Sequence, residues 1–295
     1  MKKVLSIILS LAMVFTLSCT AFAEESAKPE ATTTTSEYSM VQKLKTESTE
    51  ALLAEGYSIS DIKSAKSGEL EQTIIDELME RAKLSDEILK QKGYTTDEIK
   101  QLRSLTGDES LASVQGLLAS VSVRNSKSSY FYRKSDDRTY FIINVGWNWD
   151  KEPTTHWTDI VGAGWAGNYQ LTNKIASTNN TLKLTCVGNG PTVASKSIHV
   201  TMKSDDINAG EAIFKMNQGA YYNQSFYWVK SGRGTIELSM SGHHDNAEFI
   251  FKYGHSTVSV TPSVSMDGLS LSFSFGVNTS KPSSGAVYGG KAAVK

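Results

Sequence analysis

The feature that most constrains the fold is a change of period part-way along the chain. Over residues 38–118 apolar side chains recur at helical spacing in a charged background. Over residues 128–279 they alternate every second position among Gly, Ser, Thr and aromatics. The first pattern builds helices that bury one stripe; the second builds strands that bury one face. Candidate strands cover residues 140–147, 158–165, 181–187, 197–202, 212–216, 225–229, 235–240 and 248–253, closed by the pair 257–265 and 269–277. Their joints are short and rich in Gly and Asn, with no long helical interruption. The expected fold class is therefore α+β: an N-terminal helical segment followed by an antiparallel all-β sandwich or barrel-like domain.

The helical segment carries a short internal repeat. Gly56-Tyr57-Ser58-Ile59-Ser60-Asp61-Ile62-Lys63 matches Gly93-Tyr94-Thr95-Thr96-Asp97-Glu98-Ile99-Lys100, with Leu52 and Leu89 at equivalent positions before each copy. Gly56 and Gly93 suit the left-handed residue that ends a helix. Ser58 and Thr95 suit the cap of the next, with Asp61 and Glu98 placed to complete a capping box, and Tyr57–Ile62 and Tyr94–Ile99 to form hydrophobic staples. Each copy thus reads as a helix–turn–helix unit, serving either as helix punctuation or as a partner-binding module. Two copies fall short of a solenoid. Ile74, Ile75, Leu78 and Leu84 supply an apolar face between them.

The flanks set location. Lys2 and Lys3, an apolar run over residues 4–17 and Ala21-Phe22-Ala23 have the form of a secretory signal peptide over residues 1–23. Its apolar run of roughly 14 residues is shorter than the ~20 a membrane-spanning helix needs. Cleavage after Ala23 would release the protein; processing before Cys19 would instead leave it lipid-anchored. Residues 24–37, with the run Thr32–Thr35, read as a disordered spacer, and residues 280–295 as a flexible tail. Losing the leader removes two lysines and no acid, moving the formal charge from -1 to about -3. No basic stripe marks the chain, which argues against nucleic acid as a partner. Cys186 is the lone cysteine beyond the leader, so disulfides within the chain are not expected to hold the fold.

Motifs of chemistry are sparse. Gly162-Ala163-Gly164-Trp165-Ala166-Gly167 fits a dinucleotide fingerprint by spelling only. The residues that follow show no helical face, and no acid stands about 20 residues on, so no cofactor is expected. His243, His244 and Asp245, near Glu248 and His255, are weak metal-ligand candidates in a loop, at a spacing that matches no established site. His156 and Asp159 lie three apart, which puts them on opposite faces of a strand. Asp136-Asp137 and Asp205-Asp206 read as turn formers. No catalytic set is assigned. The stretch 146–161, dense in tryptophan and charge, has the character of a signature.

Two function classes follow. Trp147, Trp149 and Trp157, with a second patch at Tyr221, Tyr222, Phe226, Tyr227 and Trp228, are either core or a platform for a glycan or protein ligand. The first class is accordingly a secreted, non-enzymatic β-rich protein that binds a cell-surface, glycan or protein ligand. The second rests on the final hairpin. Folding it about Asp267-Gly268 opposes Val264 to Leu271, Val260 to Phe275 and Val258 to Val277, with Phe273 facing Pro262; the other positions are almost all hydroxyl. This alternation over strands of about nine residues resembles the insertion hairpins of secreted β-pore-forming toxins. That resemblance implies a membrane-active protein with Val258, Val260, Val264, Leu271, Phe273 and Phe275 facing lipid.

Overall fold

The helical period is realised as six short helices among the described residues, each small enough to need tertiary burial for its stability. They are α1 (Glu37–Thr46), α2 (Thr49–Ala54), α3 (Ile59–Ser67), α4 (Glu69–Arg81), α5 (Asp86–Gln91) and α6 (Thr96–Arg103). The structure, a computed structural model, describes residues 30–54, 57–156, 158–167, 169–171, 181–189, 197–203, 206–208, 211–222, 225–255, 263–267, 270–274, 283–289 and 293–294. The leader with Cys19, Trp157, Val258, Val260 and Phe275 lie outside them.

Both copies of the repeat do the same local work. Tyr57 N–H donates to Leu52 O and Tyr94 N–H to Leu89 O, each at 3.0 Å. These are the long bonds that close a helix end. Gly93 takes φ +100°; Gly56 lies outside the described residues. Ser58 Oγ accepts from Asp61 N–H at 3.1 Å and Thr95 Oγ1 accepts from Glu98 N–H at 3.3 Å. In the second copy the box is complete, because Glu98 Oε2 reaches back to Thr95 N–H at 2.7 Å. Asp61, one methylene shorter, instead takes the Ser58 hydroxyl at 2.6 Å. Leu52, Tyr57 and Ile62 join Leu89, Tyr94 and Ile99 in one core around Ile74, Ile75 and Leu78.

The period-two region forms two face-packed sheets. In chain order its strands begin with β1 (Glu30–Ser36), β2 (Ser120–Arg133), β3 (Arg138–Trp149), β4 (Thr158–Trp165), β5 (Gln170–Leu171) and β6 (Thr181–Asn189). Then come β7 (Ser197–Lys203), β8 (Asp206–Asn208), β9 (Glu211–Asn217), β10 (Gly219–Tyr222), β11 (Ser225–Ser241) and β12 (Asn246–Gly254). The last are β13 (Ser263–Asp267), β14 (Ser270–Ser274), β15 (Ser283–Gly289) and β16 (Ala293–Val294). One sheet runs β1-β2-β3-β11-β6-β7, with β5 and β10 on β11 and β16 on β2; the other runs β15-β12-β4-β9-β8. All pairs are antiparallel except β16 with β2. Phe141 and Trp147 from β3 meet Phe249, Phe251 and Tyr253 from β12, with Phe141–Phe249 edge-on at 6.5 Å and Trp147–Tyr253 at 5.4 Å. This is the interdigitated core of a sandwich.

Four expectations change. The threonine run is an edge strand, not a spacer: Thr32, Thr33, Thr34 and Thr35 pair with Arg124, Val123, Ser122 and Val121. β-branched threonine suits a half-exposed pleat, and an edge strand needs no apolar alternation. The β region starts at Ser120, where Val121 and Val123 alternate inward among serines. The small-residue tail supplies β15 and β16, because a backbone ladder needs no large side chains. The hairpin register moves by two: Val264 opposes Phe273, Met266 opposes Leu271 and Asp267 opposes Ser270. A shift of two preserves the face of every residue, so the apolar and hydroxyl positions stay segregated.

Glycine enables close approach at two joints. A Cβ on Gly232 would lie 2.0 Å from the Trp147 ring, which covers the bare backbone opposite it in register. At Gly93 it would lie 2.7 Å from Asp150 O, where the β domain meets the helices. Gly68, at φ +86°, faces open space. Gly68→Ala should therefore lose about 1 kcal/mol, the conformational cost alone, and Gly93→Ala about 3 kcal/mol once overlap adds to it. Urea unfolding midpoints check the ranking. Gly232→Ala should cost about 3 kcal/mol and shift tryptophan emission as Trp147 is displaced.

Candidate functional site

The loop between β3 and β4 is where the helical layer grips the sandwich. It must turn a buried strand end, and its polar groups would be stranded without partners. The helices supply them. Arg81, at the end of α4, donates to Glu152 O at 2.7 Å, Pro153 O at 2.6 Å and Tyr94 OH at 3.0 Å, while its Nε pairs with Glu77 at 2.9 Å. Lys92 Nζ meets Glu152 Oε2 at 2.6 Å, and Glu152 N–H donates to Lys92 O at 2.7 Å. Lys151 Nζ reaches Glu98 Oε1 at 2.6 Å and Gly116 O at 3.1 Å. The capping-box glutamate of the second repeat copy therefore also anchors the loop.

Burial by itself would raise the pKa of Glu152. His156 Nε2 at 2.8 Å and the charges of Lys92 and Arg81 outweigh it and hold the carboxyl down at about 2. The loop is thus fastened by compensated buried charge.

A second polar node lies beside it. Glu37, first residue of α1, exchanges backbone bonds with the β2 approach: its N–H donates to Ala119 O at 2.9 Å and its Oε2 accepts from Ala119 N–H at 2.9 Å. Its Oε1 accepts from Thr154 N–H and Thr154 Oγ1, both at 2.7 Å. His255, the residue after β12, has none of its surface exposed. Its Nδ1 lies 3.0 Å from Asp159 Oδ1 on β4, and its Nε2 lies 2.9 Å from Thr155 Oγ1 and 3.9 Å from Glu37 Oε1. Trp149 caps the ring edge-on at 5.0 Å. Tyr253 OH donates to Asp159 Oδ2, and accepts from Trp149 Nε1 at 3.0 Å. Burial lowers the His255 pKa, but Asp159 and then Glu37 raise it further, so the net shift is upward. In the protonated ring both nitrogens donate, matching the acceptors around it.

Asp159, His255 and Thr155 stand in the order of a hydrolytic relay. The chemistry does not follow in this conformation. The imidazole is sealed from solvent, Nε2 already serves Thr155 and faces a second carboxylate, and the threonine hydroxyl is a secondary alcohol. The arrangement is a buried imidazole held between two carboxylates.

The sequence-derived candidates land elsewhere. Trp147 and Trp149 are buried core residues, not a surface platform, because their strand end lies between the two sheets. His243 and His244 fail to converge: His244 N–H donates to Thr139 Oγ1 at 3.0 Å, its Nε2 lies 2.6 Å from Ser241 O, and His243 Nε2 is 3.7 Å from Asp245 Oδ1. Among the described residues no group of three or more His, Cys, Asp or Glu side chains is placed to hold a metal. The glycine run at residues 162–164 lies inside β4 and opens no helix. Cys186 is buried on β6, and burial pushes its thiol pKa up. Val264, Leu271 and Phe273 fall in β13 and β14, which among the described residues pair with each other in a two-stranded sheet, with β14 close to β4.

Local sequence pattern does not single out Glu37, Arg81 or Glu152, and it marks His255 only as a neighbour of the His243–Asp245 loop. Glu37 closes the polar segment 24–37, and nothing local in the sequence sets Arg81 apart from other cations. The available signal was the charge-dense stretch 146–161, far more polar than a strand connection requires.

No protein family and no curated protein matches the sequence. Among solved structures, the chain is similar to a "Pore forming protein" at 8% identity, covering 57% of this chain and 84% of that one, with a TM-score of 0.26. Clostridium perfringens delta-toxin matches at 7% identity over 57% of this chain and 83% of that one, TM-score 0.24. The Clostridium perfringens NetB toxin in its membrane-inserted form matches at 7% identity over 57% and 89%, TM-score 0.25. Superposition at that level carries neither fold nor activity across.

His255 makes a signed prediction. A histidine whose folded pKa lies above its unfolded value of about 6.5 adds stability that is fully present below that pH. The contribution is lost as pH rises through the raised folded value. Urea midpoints of the wild type should fall as pH rises above about 6.5, more steeply than those of His255→Gln; parallel profiles would reject a charged clamp.

Proposed function

We propose that the chain is an exported, membrane-active β protein that acts by inserting the hairpin of residues 257–277 into a lipid bilayer. One observation carries this reading: among the described residues, β13 and β14 form a sheet of their own, attached by pairing to neither layer of the sandwich. An isolated two-stranded hairpin is marginal in water. Such an element gains most from a second environment. In register, Val264–Phe273 and Met266–Leu271 alternate with Ser263–Ser274 and Ser265–Ser272. Apolar positions alternating with hydroxyls suit strands that face lipid on one side and water on the other. The sequence extends the pattern to nine residues per strand, 257–265 and 269–277, which matches the length needed to cross a bilayer in a tilted closed barrel. Export rests on the leader at residues 1–23.

A surface-binding role keeps one support of its own. Tyr221 on β10 is 79% exposed, with Phe226 edge-on at 5.5 Å. That pair, and not Trp147 or Trp149, is what a glycan or protein ligand would meet. Loss of retention on purified cell wall in Tyr221→Ala would support that role.

Dye-loaded liposomes test insertion. Val264→Lys and Phe273→Lys put charge at lipid-facing register positions, where the cost is about 2–4 kcal/mol per residue near the bilayer midplane. Each should cut release at least about tenfold. Ser265→Lys and Ser272→Lys, on the hydroxyl positions, should retain release. An absence of release from every liposome composition, or equal activity across the four variants, would sink the proposal.

A further inference from the structure

We propose that the outer face of the larger sheet is an adsorption surface for an anionic phospholipid bilayer, built on a row of three cations: Arg124, Arg233 and Lys183. The proposal rests on the insertion reading above for its purpose, though not for its geometry. Strand register assembles the row. Arg124 on β2 opposes Gly146 on β3, Gly146 opposes Arg233 on β11, and Arg233 opposes Lys183 on β6. All three cations are exposed, while Val123, Leu182 and Leu184 beside them in the chain belong to the core. At about 4.8 Å between strands the row spans roughly 14 Å. No stretch of the sequence shows it, because each cation comes from a different strand.

The surroundings leave this charge uncompensated. Within the strands of the sheet the acids are Glu30, in register with Ser126 at the β1 edge, and Glu237, which is buried. Among the described residues none of the three cations has an ionic partner. The rows on either side are neutral: Ser122, Asn148 and Ser231 on one, Ser126, Asn144 and Thr235 on the other. Gly146 leaves the middle bare, since a Cβ there would lie 2.8 Å from Gly232 O and 3.6 Å from Arg233 Cβ. Two arginine strands thus flank an open floor rimmed by the exposed amides of Asn144 and Asn148. Guanidinium pairs well with phosphate oxygens, but an open face with hydrated cations holds a lone anion poorly. A plane of phosphates engages all three cations at once, each adding about fivefold to partitioning. The adjoining positions carry no aromatic ring on which a sugar would stack, which favours headgroups over an acidic glycan. With a net charge of -1 the chain as a whole offers no general attraction, so adsorption depends on this face.

Co-sedimentation of the full chain with sucrose-loaded vesicles tests the surface. The protein should adsorb to phosphatidylcholine vesicles containing phosphatidylglycerol and not to phosphatidylcholine alone. Adsorption should be lost at about 1 M salt, where the screening length falls to roughly 3 Å. Arg124→Gln, Arg233→Gln and Lys183→Gln should each weaken partitioning about fivefold, and the triple variant about a hundredfold. Lys100→Gln, which removes the same charge from the exposed Lys100–Asp97 pair on α6, should leave it as in the parent. Thermal melts check the fold, and the single variants decide if the triple variant does not fold. Failure of the parent to sediment, or equal adsorption of parent and folded variants, would overturn the proposal. So would retention on immobilised heparin without vesicle adsorption, which would assign the row to an acidic glycan. Row-dependent adsorption with no dye release keeps this surface and rejects insertion; dye release with adsorption indifferent to the three charges does the reverse.

Discussion

The docking of the loop 150–155 into the helical layer is the contact on which the rest of the structure depends. A loop at the buried end of β3 and β4 exposes carbonyls and amides that water cannot serve. Arg81 supplies two of the missing donors through one planar guanidinium, and Lys92 and Glu152 close the remaining charges on each other. Gly93 allows the helix end to come within contact of Asp150 and Lys151, an approach any side chain there would block. Removing one member strands the others, so the interface is conditional as a set. That conditionality is what makes the two halves of the chain a single structure in place of two domains on a tether.

Within the sandwich the opposite logic applies. Its interior is a sheet of aromatic rings that interlock without many polar demands: Phe141, Trp147, Phe249, Phe251 and Tyr253 share one cluster. Trp147 fits because Gly232 opposite it carries no side chain. Trp147, Trp149, Trp165 and Trp228 thereby serve packing, and among the described residues only Leu53, Ile59 and Tyr221 remain as large exposed apolar groups. A buried polar group, Asp159–Tyr253–His255, interrupts this core at its edge nearest the helices.

Together these features divide the molecule by stability. The sandwich and the docking loop are held by long-range burial and compensated charge. Among the described residues the hairpin β13–β14 pairs only with itself. Regions that change partners are drawn from the less stable end of a fold by necessity. The hydroxyl and apolar alternation of the hairpin survives a two-residue change of register, so the property relevant to a bilayer is robust to how the turn closes.

The sequence by itself determined what depends on near neighbours. Period 3.6 and period 2 separated helices from strands at about the right place, and the caps at Ser58 and Thr95 followed from spacing along one turn. The segregation of hydroxyls from apolar residues in the final hairpin was equally legible, because a face is set by parity alone. Tertiary structure decided what depends on distant partners. The threonine run became a strand only because Val121 and Val123 offered it an edge, and the small-residue tail because β12 did. Trp147 and Trp149 became core because a second sheet covers them, which no local pattern encodes. Glu37, Arg81 and His255 gained their roles from partners up to 218 residues away along the chain, in the case of Glu37 and His255. Burial is a property of the whole fold, and the charges that must be compensated within it are known only once the chain has closed.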